Sequence, residues 1–290
     1  MKKLVFFLTT MIIATIVIVG CDDNNITEPN TGMLDLNING LENLGSGYAF
    51  EGWLIVNGSP LSTGIFTVDD NGNLNQSSFE LSLNDLEAAT KFILTIEPSP
   101  DNDPAPASTH YLAGDFSNGS ATVTVEDPAA IGDDFLSALG PYILNTPSTS
   151  SNDLDYNSGI WWLDPGTGPG ATLDLPILPD GWMYEGWVVG NSGPITTGRF
   201  TMAAGADSDQ GGPTAGSDPV PPFPGQDYIN PLIDLIGYTA VISIEPEPDN
   251  SADPFTLKPL VDANIEDVTI GVLQSMNNNA ASFPTGTVSW

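Results

Sequence analysis

Glu51 and Glu185 are the first residues in this sequence that could do chemistry. Each stands two positions before a tryptophan, Trp53 and Trp187, inside an apolar run. Alternation along a strand puts glutamate and indole on one face, where desolvation would raise the carboxyl pKa. Two such acids facing one another across a cleft could hydrolyse a glycosidic bond. They occupy the same place in two copies of one phrase, however, and that symmetry favours structural acceptors serving a neighbouring turn. His110 is the only histidine and sits beside Tyr111 in a strand-like run with no nucleophile signature nearby, so Ser-His-Asp catalysis finds no support. We therefore expect no enzyme.

Oxygen-rich loops make calcium the candidate ion. Asp69, Asn71, Asn73 and Glu80 stand at positions one, three, five and twelve of an EF-hand-like series, with Leu74 where such a loop needs glycine. Asp207, Asp209, Gly212 and Asp218 echo positions one, three, six and twelve. Neither series is flanked by helices, so either would hold calcium as a β-loop. Asp101, Asp103, Asp249 and Asp253 form a further acidic set. No other cofactor is expected. Trp161 and Trp162 are adjacent, so a strand would turn one inward and one outward; the outward one could stack on a sugar or a partner, but burial in a core or between domains is the favoured reading.

The tryptophans belong to a duplication. The stretch 49–67 returns at 183–201, with no gap between 51 and 67, and carries Glu51, Trp53 and Gly64 against Glu185, Trp187 and Gly198. A second phrase, Leu94-Thr95-Ile96-Glu97-Pro98, returns as Ile242-Ser243-Ile244-Glu245-Pro246. Two landmarks in one order indicate two copies of a folding unit. Apolar residues alternate with period two, as at Leu34, Leu36 and Ile38 or Ala121, Val123 and Val125, and Gly and Pro punctuate the joints. The strand 48–56 is apolar on both faces and should be central to its sheet.

The elements that must position these residues are thus strands. We expect an all-β fold of two tandem antiparallel β-sandwich domains, 33–127 and 158–290, with a short helix and linker over 128–157. Asp127-Pro128 would cap that helix, Ile131, Phe135, Leu136 and Leu139 would share its face, and Gly140-Pro141 would stop it. The segment 145–157 reads as a Ser/Thr/Asn-rich linker. The end, Gly286 to Trp290, repeats the pattern of 121–125 and should close the second domain. The second copy is about fourteen residues longer between its two phrases. The extra length lies within 206–227 and should be a surface loop.

The first twenty residues read as a secretion signal, with Lys2 and Lys3 ahead of an apolar run. Ile18-Val19-Gly20-Cys21 resembles a bacterial lipobox. That resemblance implies cleavage before Cys21, acylation of its thiol and amine, and anchorage to the lipid bilayer at the periplasmic face or the cell surface. Cys21 is the only cysteine, which excludes an internal disulfide. Residues 21–32 form a polar tether. Beyond the signal only Lys91, Arg199 and Lys258 oppose 37 acidic residues. Nucleic-acid binding needs many more cations than that.

The phrase Phe50-Glu51-Gly52-Trp53-Leu54-Ile55, the turn Asn57-Gly58-Ser59-Pro60, then Ser62, Gly64 and Phe66, followed later by Leu94-Thr95-Ile96-Glu97-Pro98, resembles the C-terminal domain of anti-sigma-K factors. The second copy resembles it through Trp187, Pro194, Gly198, Phe200, Ile244, Glu245 and Pro246. The resemblance implies an all-β extracytoplasmic domain with a sensing or partner-binding role. This chain departs from the family in having no cytoplasmic sigma-binding segment. The expectation is a lipid-anchored envelope protein with a non-catalytic binding or sensing role and an envelope protein as partner. A structural or adhesive surface module braced by calcium is the alternative.

Overall fold

Leu34, Leu36 and Ile38 point to one side of the first strand because successive side chains alternate. All three are buried in the computed structural model, which describes residues 30–166, 168–249 and 251–290. The secretion signal, Cys21 and the tether up to residue 29 lie outside the described residues. In chain order the strands are β1 (Thr31–Asn39), β2 (Tyr48–Val56), β3 (Ser59–Phe66), β4 (Ser78–Ser82), β5 (Ala89–Pro98), β6 (His110–Asp115), β7 (Ser120–Val123), β8 (Ile143–Leu144), β9 (Gly159–Trp161), β10 (Leu163–Asp164), β11 (Gly170–Ala171), β12 (Trp182–Gly190), β13 (Gly193–Phe200), β14 (Gly225–Asp227), β15 (Thr239–Pro246), β16 (Leu260–Asp262), β17 (Asn277–Asn278) and β18 (Thr285–Ser289). A six-residue helix, α1 (Leu83–Ala88), joins β4 to β5. Every ladder between these strands is antiparallel, and the fold is all-β.

In the first half the sheet β3-β2-β5-β6 faces the sheet β4-β1-β18-β7. Phe50, Leu54, Phe92 and Leu94 pack against Leu34, Phe79, Val123 and Val288 between them. In the second half β13-β12-β15-β16-β17 repeats the first order, with β14-β9-β8 as its partner sheet. As the apolar pattern predicts, β2 is central, and so is its copy β12. The largest apolar cluster runs from Leu34 to Val288 without a break between the halves. Tyr111, Trp182 and Phe255 join the halves with ring centroids 5.5–6.0 Å apart.

Three expectations are corrected. The C-terminal strand β18 closes the first half: it lies between β1 and β7, with Leu36 opposite Val288 and Thr287 opposite Thr122. Alternation made it a strand but carried no information about its partner. The helix expected from Asp127 is a series of turns. Asp127, Asp133 and Asp134 each accept a backbone N–H two residues ahead, and Gly132 and Phe135 adopt positive φ, which together divert the chain from helical bonding. Ile131 and Phe135 are buried, whereas Leu136 and Leu139 are exposed. The segment 145–157 is built into the second half rather than being a free linker. Thr146, Ser148 and Asp155 are buried, and Thr146 Oγ1 donates to Asp155 at 2.7 Å.

Candidate functional site

Each repeat phrase folds into the same polar device. Gly52 pairs with Gly64 and Trp53 with Ser62, so Thr63 is an extra residue, a β-bulge. Gly186, Gly198, Trp187 and Thr196 reproduce the register around Thr197. Gly64 and Gly198 take φ of 118° and 103°, which explains why the phrase ends in glycine. The hydroxyl before each bulge, Ser62 or Thr196, accepts the glycine N–H at 3.2 or 3.0 Å and donates to Glu51 or Glu185. The glutamates thus brace a distorted edge strand, as structural acceptors would.

The second phrase adds a chain of bonds. Trp53 Nε1 donates to Thr95 Oγ1 at 2.9 Å, Thr95 donates to Glu97, and Glu97 also accepts the Ala107 N–H at 2.8 Å. In the second half Trp187 Nε1 donates to Ser243 Oγ at 2.7 Å, Ser243 donates to Glu245, and Glu245 accepts the Phe255 N–H at 2.9 Å. All four glutamates are buried. Burial raises the pKa of Glu97 and Glu185 and pushes Glu245 up to about 7. Glu51 opposes Thr95, which puts Glu97 on the adjacent diagonal of the same face. The hydroxyls Thr95 and Ser243 were missed in the sequence. Their signal was a hydroxyl two residues before glutamate in both copies.

The loop 206–227 lies largely at the surface, as expected, and folds back on the second half. Asp207 Oδ2 accepts the Gly225 N–H and Oδ1 the Gln210 N–H, both at 2.8 Å, which pins the two ends of the loop together. Asp207 and Asp209 lie against Gly198, the place that Phe79 occupies over Gly64 in the first half. Burial and mutual repulsion raise the pKa of Asp207, and burial raises that of Asp209. Asp227, which sequence reasoning passed over, is fully buried and accepts Trp161 Nε1 at 2.7 Å and Ser148 N at 2.8 Å. Trp161 and Trp162 are both buried, as the favoured packing reading expects, and neither indole faces outward: Val220 and Phe223 of the loop cover Trp161.

The structure divides the residues expected to hold calcium. Asp69 accepts Asn71 N and Asn73 N, each at 2.9 Å, and Asn73 Nδ2 as well, while Glu80 sits on β4 and accepts Thr31 Oγ1 at 2.7 Å. Asp207 and Asp209 come together, but Asp218 instead accepts Ser150 N at 3.0 Å and Ser150 Oγ at 2.6 Å. Glu80 and Asp218 are thus each bonded to a residue outside their own series. Among the described residues no cluster of three or more Asp, Glu, His or Cys has metal-binding geometry. His110 Nδ1 lies 2.8 Å from Ala129 O and serves the turn that covers Trp53.

A cleft of about 350 Å³ opens where the halves meet. Glu42, Asn43 and Ser46 come from the β1–β2 loop, Tyr48, Ile96 and Pro246 from the ends of β2, β5 and β15, and Pro248, Asp249, Ser251 and Phe255 from the chain after β15. Tyr48 Oη donates to Pro248 O at 3.3 Å across it. The lining includes none of the four paired glutamates. Burial pushes Glu42 up to about 7, partly offset by Lys258. Searches of protein-family models, curated proteins and solved structures return no match. Among the described residues no helix is long and apolar enough to cross a membrane.

Proposed function

We propose that this chain is a lipid-anchored protein of the cell envelope, held through acylated Cys21, whose two anti-sigma-K-like β-sandwich halves bind or sense a protein partner without catalysis. The observation that carries the reading is the separation of the sealed carboxylates from the open cleft. Glu51, Glu97, Glu185 and Glu245 are spent on hydroxyl and backbone donors beneath the surface. The seam cleft is lined by strand ends and loops of both halves, a common location for a binding site. The cations support exclusion of phosphate-rich partners. Lys91 pairs with Asp115 and Asp127 at 2.8 and 2.7 Å, Arg199 with Glu247 at 2.7 Å, and Lys258 faces Glu42 and Glu245.

Cross-linking in native cells tests this reading. A photo-crosslinking side chain placed at Tyr48 is expected to capture one membrane protein reproducibly, and the capture should disappear when Cys21 is replaced by serine. Recovery of only the protein itself or of wall material would favour the structural module instead.

A further inference from the structure

We infer that the cleft between the halves receives a cationic group, a guanidinium or alkylammonium carried on an apolar stem. The inference rests on the binding reading above and names the chemistry of its ligand. Glu42 and Asp249 bring carboxyl groups from opposite halves, close enough for the charge of Asp249 to act on Glu42. Tyr48 and Phe255 supply aromatic faces, and Pro246 and Pro248 supply apolar wall. Carboxylates beside aromatic faces are the arrangement that holds organic cations.

Size and charge exclude the other simple ligands. The cleft is about 350 Å³, whereas a water molecule's share of liquid volume is about 30 Å³, so a bare metal ion would leave most of it empty. An anion would meet the carboxyl groups of Glu42 and Asp249. The nearest positive group is Lys258, which is already faced by Glu42, Glu245 and Asp253. Beneath the same wall Tyr111 is fully buried with no hydrogen-bond partner for its hydroxyl, and its ring packs on Phe255 at 5.5 Å. The charge of Glu42 reaches that hydroxyl. The Tyr48–Pro248 bond spans the mouth, so an occupant would touch both halves at once.

The test titrates the full chain with N-acetyl-arginine amide and with N-acetyl-citrulline amide, its neutral isostere, followed by tyrosine and tryptophan fluorescence and by calorimetry. Saturable binding of the arginine probe is expected, with citrulline at least tenfold weaker. Glu42→Gln and Asp249→Asn should each weaken the arginine probe severalfold, with thermal midpoints that show the variants folded. Tyr48→Phe should retain binding and Tyr48→Ala should lose it, separating the ring from its hydroxyl. An arginine tripeptide that binds more tightly than the single residue would assign the cation to a protein partner, and equal affinity would assign it to a free amine. Equal binding of the arginine and citrulline probes would remove the charge assignment while leaving the cleft a binding site. No saturation by either probe overturns the inference, and the cross-link at Tyr48 then decides the binding reading separately.

Discussion

Replacing Gly52 by alanine would drive a Cβ into Thr63 Oγ1 and to 2.9 Å from the Phe92 ring. Gly186→Ala would meet Thr197 Oγ1 and, at 3.0 Å, the Trp162 ring. Each substitution should destabilise by about 1–3 kcal/mol in urea unfolding, because overpacking at a bulge leaves no rotamer to absorb it. The hydroxyl chain makes a matching prediction. Thr95→Val and Ser243→Ala strand a buried indole N–H and deprive a buried glutamate of a donor, and each should cost about 1–3 kcal/mol. Acid has a definite sign here. Burial holds Glu42 and Glu245 at about 7, above their unfolded values near 4.3. The folded state therefore binds more protons, and this stabilisation, complete below the unfolded value, is lost as pH rises through about 7. The urea midpoint should fall between pH 5 and pH 8, and Glu245→Gln should flatten that fall.

At the scale of elements, deleting residues 285–290 should strip hydrogen-exchange protection from Leu36 to Asn39 and from Ala121 to Val123 while sparing β12 and β15. Fully retained protection in β1 would mean that the pairing with β18 contributes little to the first sheet. Alternation made β1, β2, β5 and their copies legible, because a half-buried sheet forces period two on its sequence. Pairing between Thr287 and Thr122 was not legible, since 165 positions separate them and many strands share that pattern. The false helix had the same origin. Ile131 and Phe135 are spaced as a helical face, but aspartate side chains compete for the backbone around them. The repeat revealed both glutamates and both tryptophans. It contained Pro246, Pro248 and Asp249, which repeat Pro98, Pro100 and Asp101, but was silent on the β1–β2 loop with which they form the seam cleft.

The whole molecule carries a formal charge of −32, and two of the three cations among the described residues, Lys91 and Arg199, are already paired with carboxylates. Self-repulsion should therefore be relieved by screening. The thermal midpoint is expected to rise between 10 mM and 500 mM sodium chloride, whereas binding of a cationic probe at the seam should weaken over the same range. The place of β1 has a mechanical consequence. It is held by β4 through Thr31 to Asp35 and by β18 through Asp35 to Asn39. A pull applied ahead of Thr31 and directed along the strand loads these ladders in shear, bond beside bond, instead of peeling them open one at a time. Tension arriving from the N-terminal side would meet its stiffest resistance at the first strand it reaches, and the seam cleft would be shielded from the load.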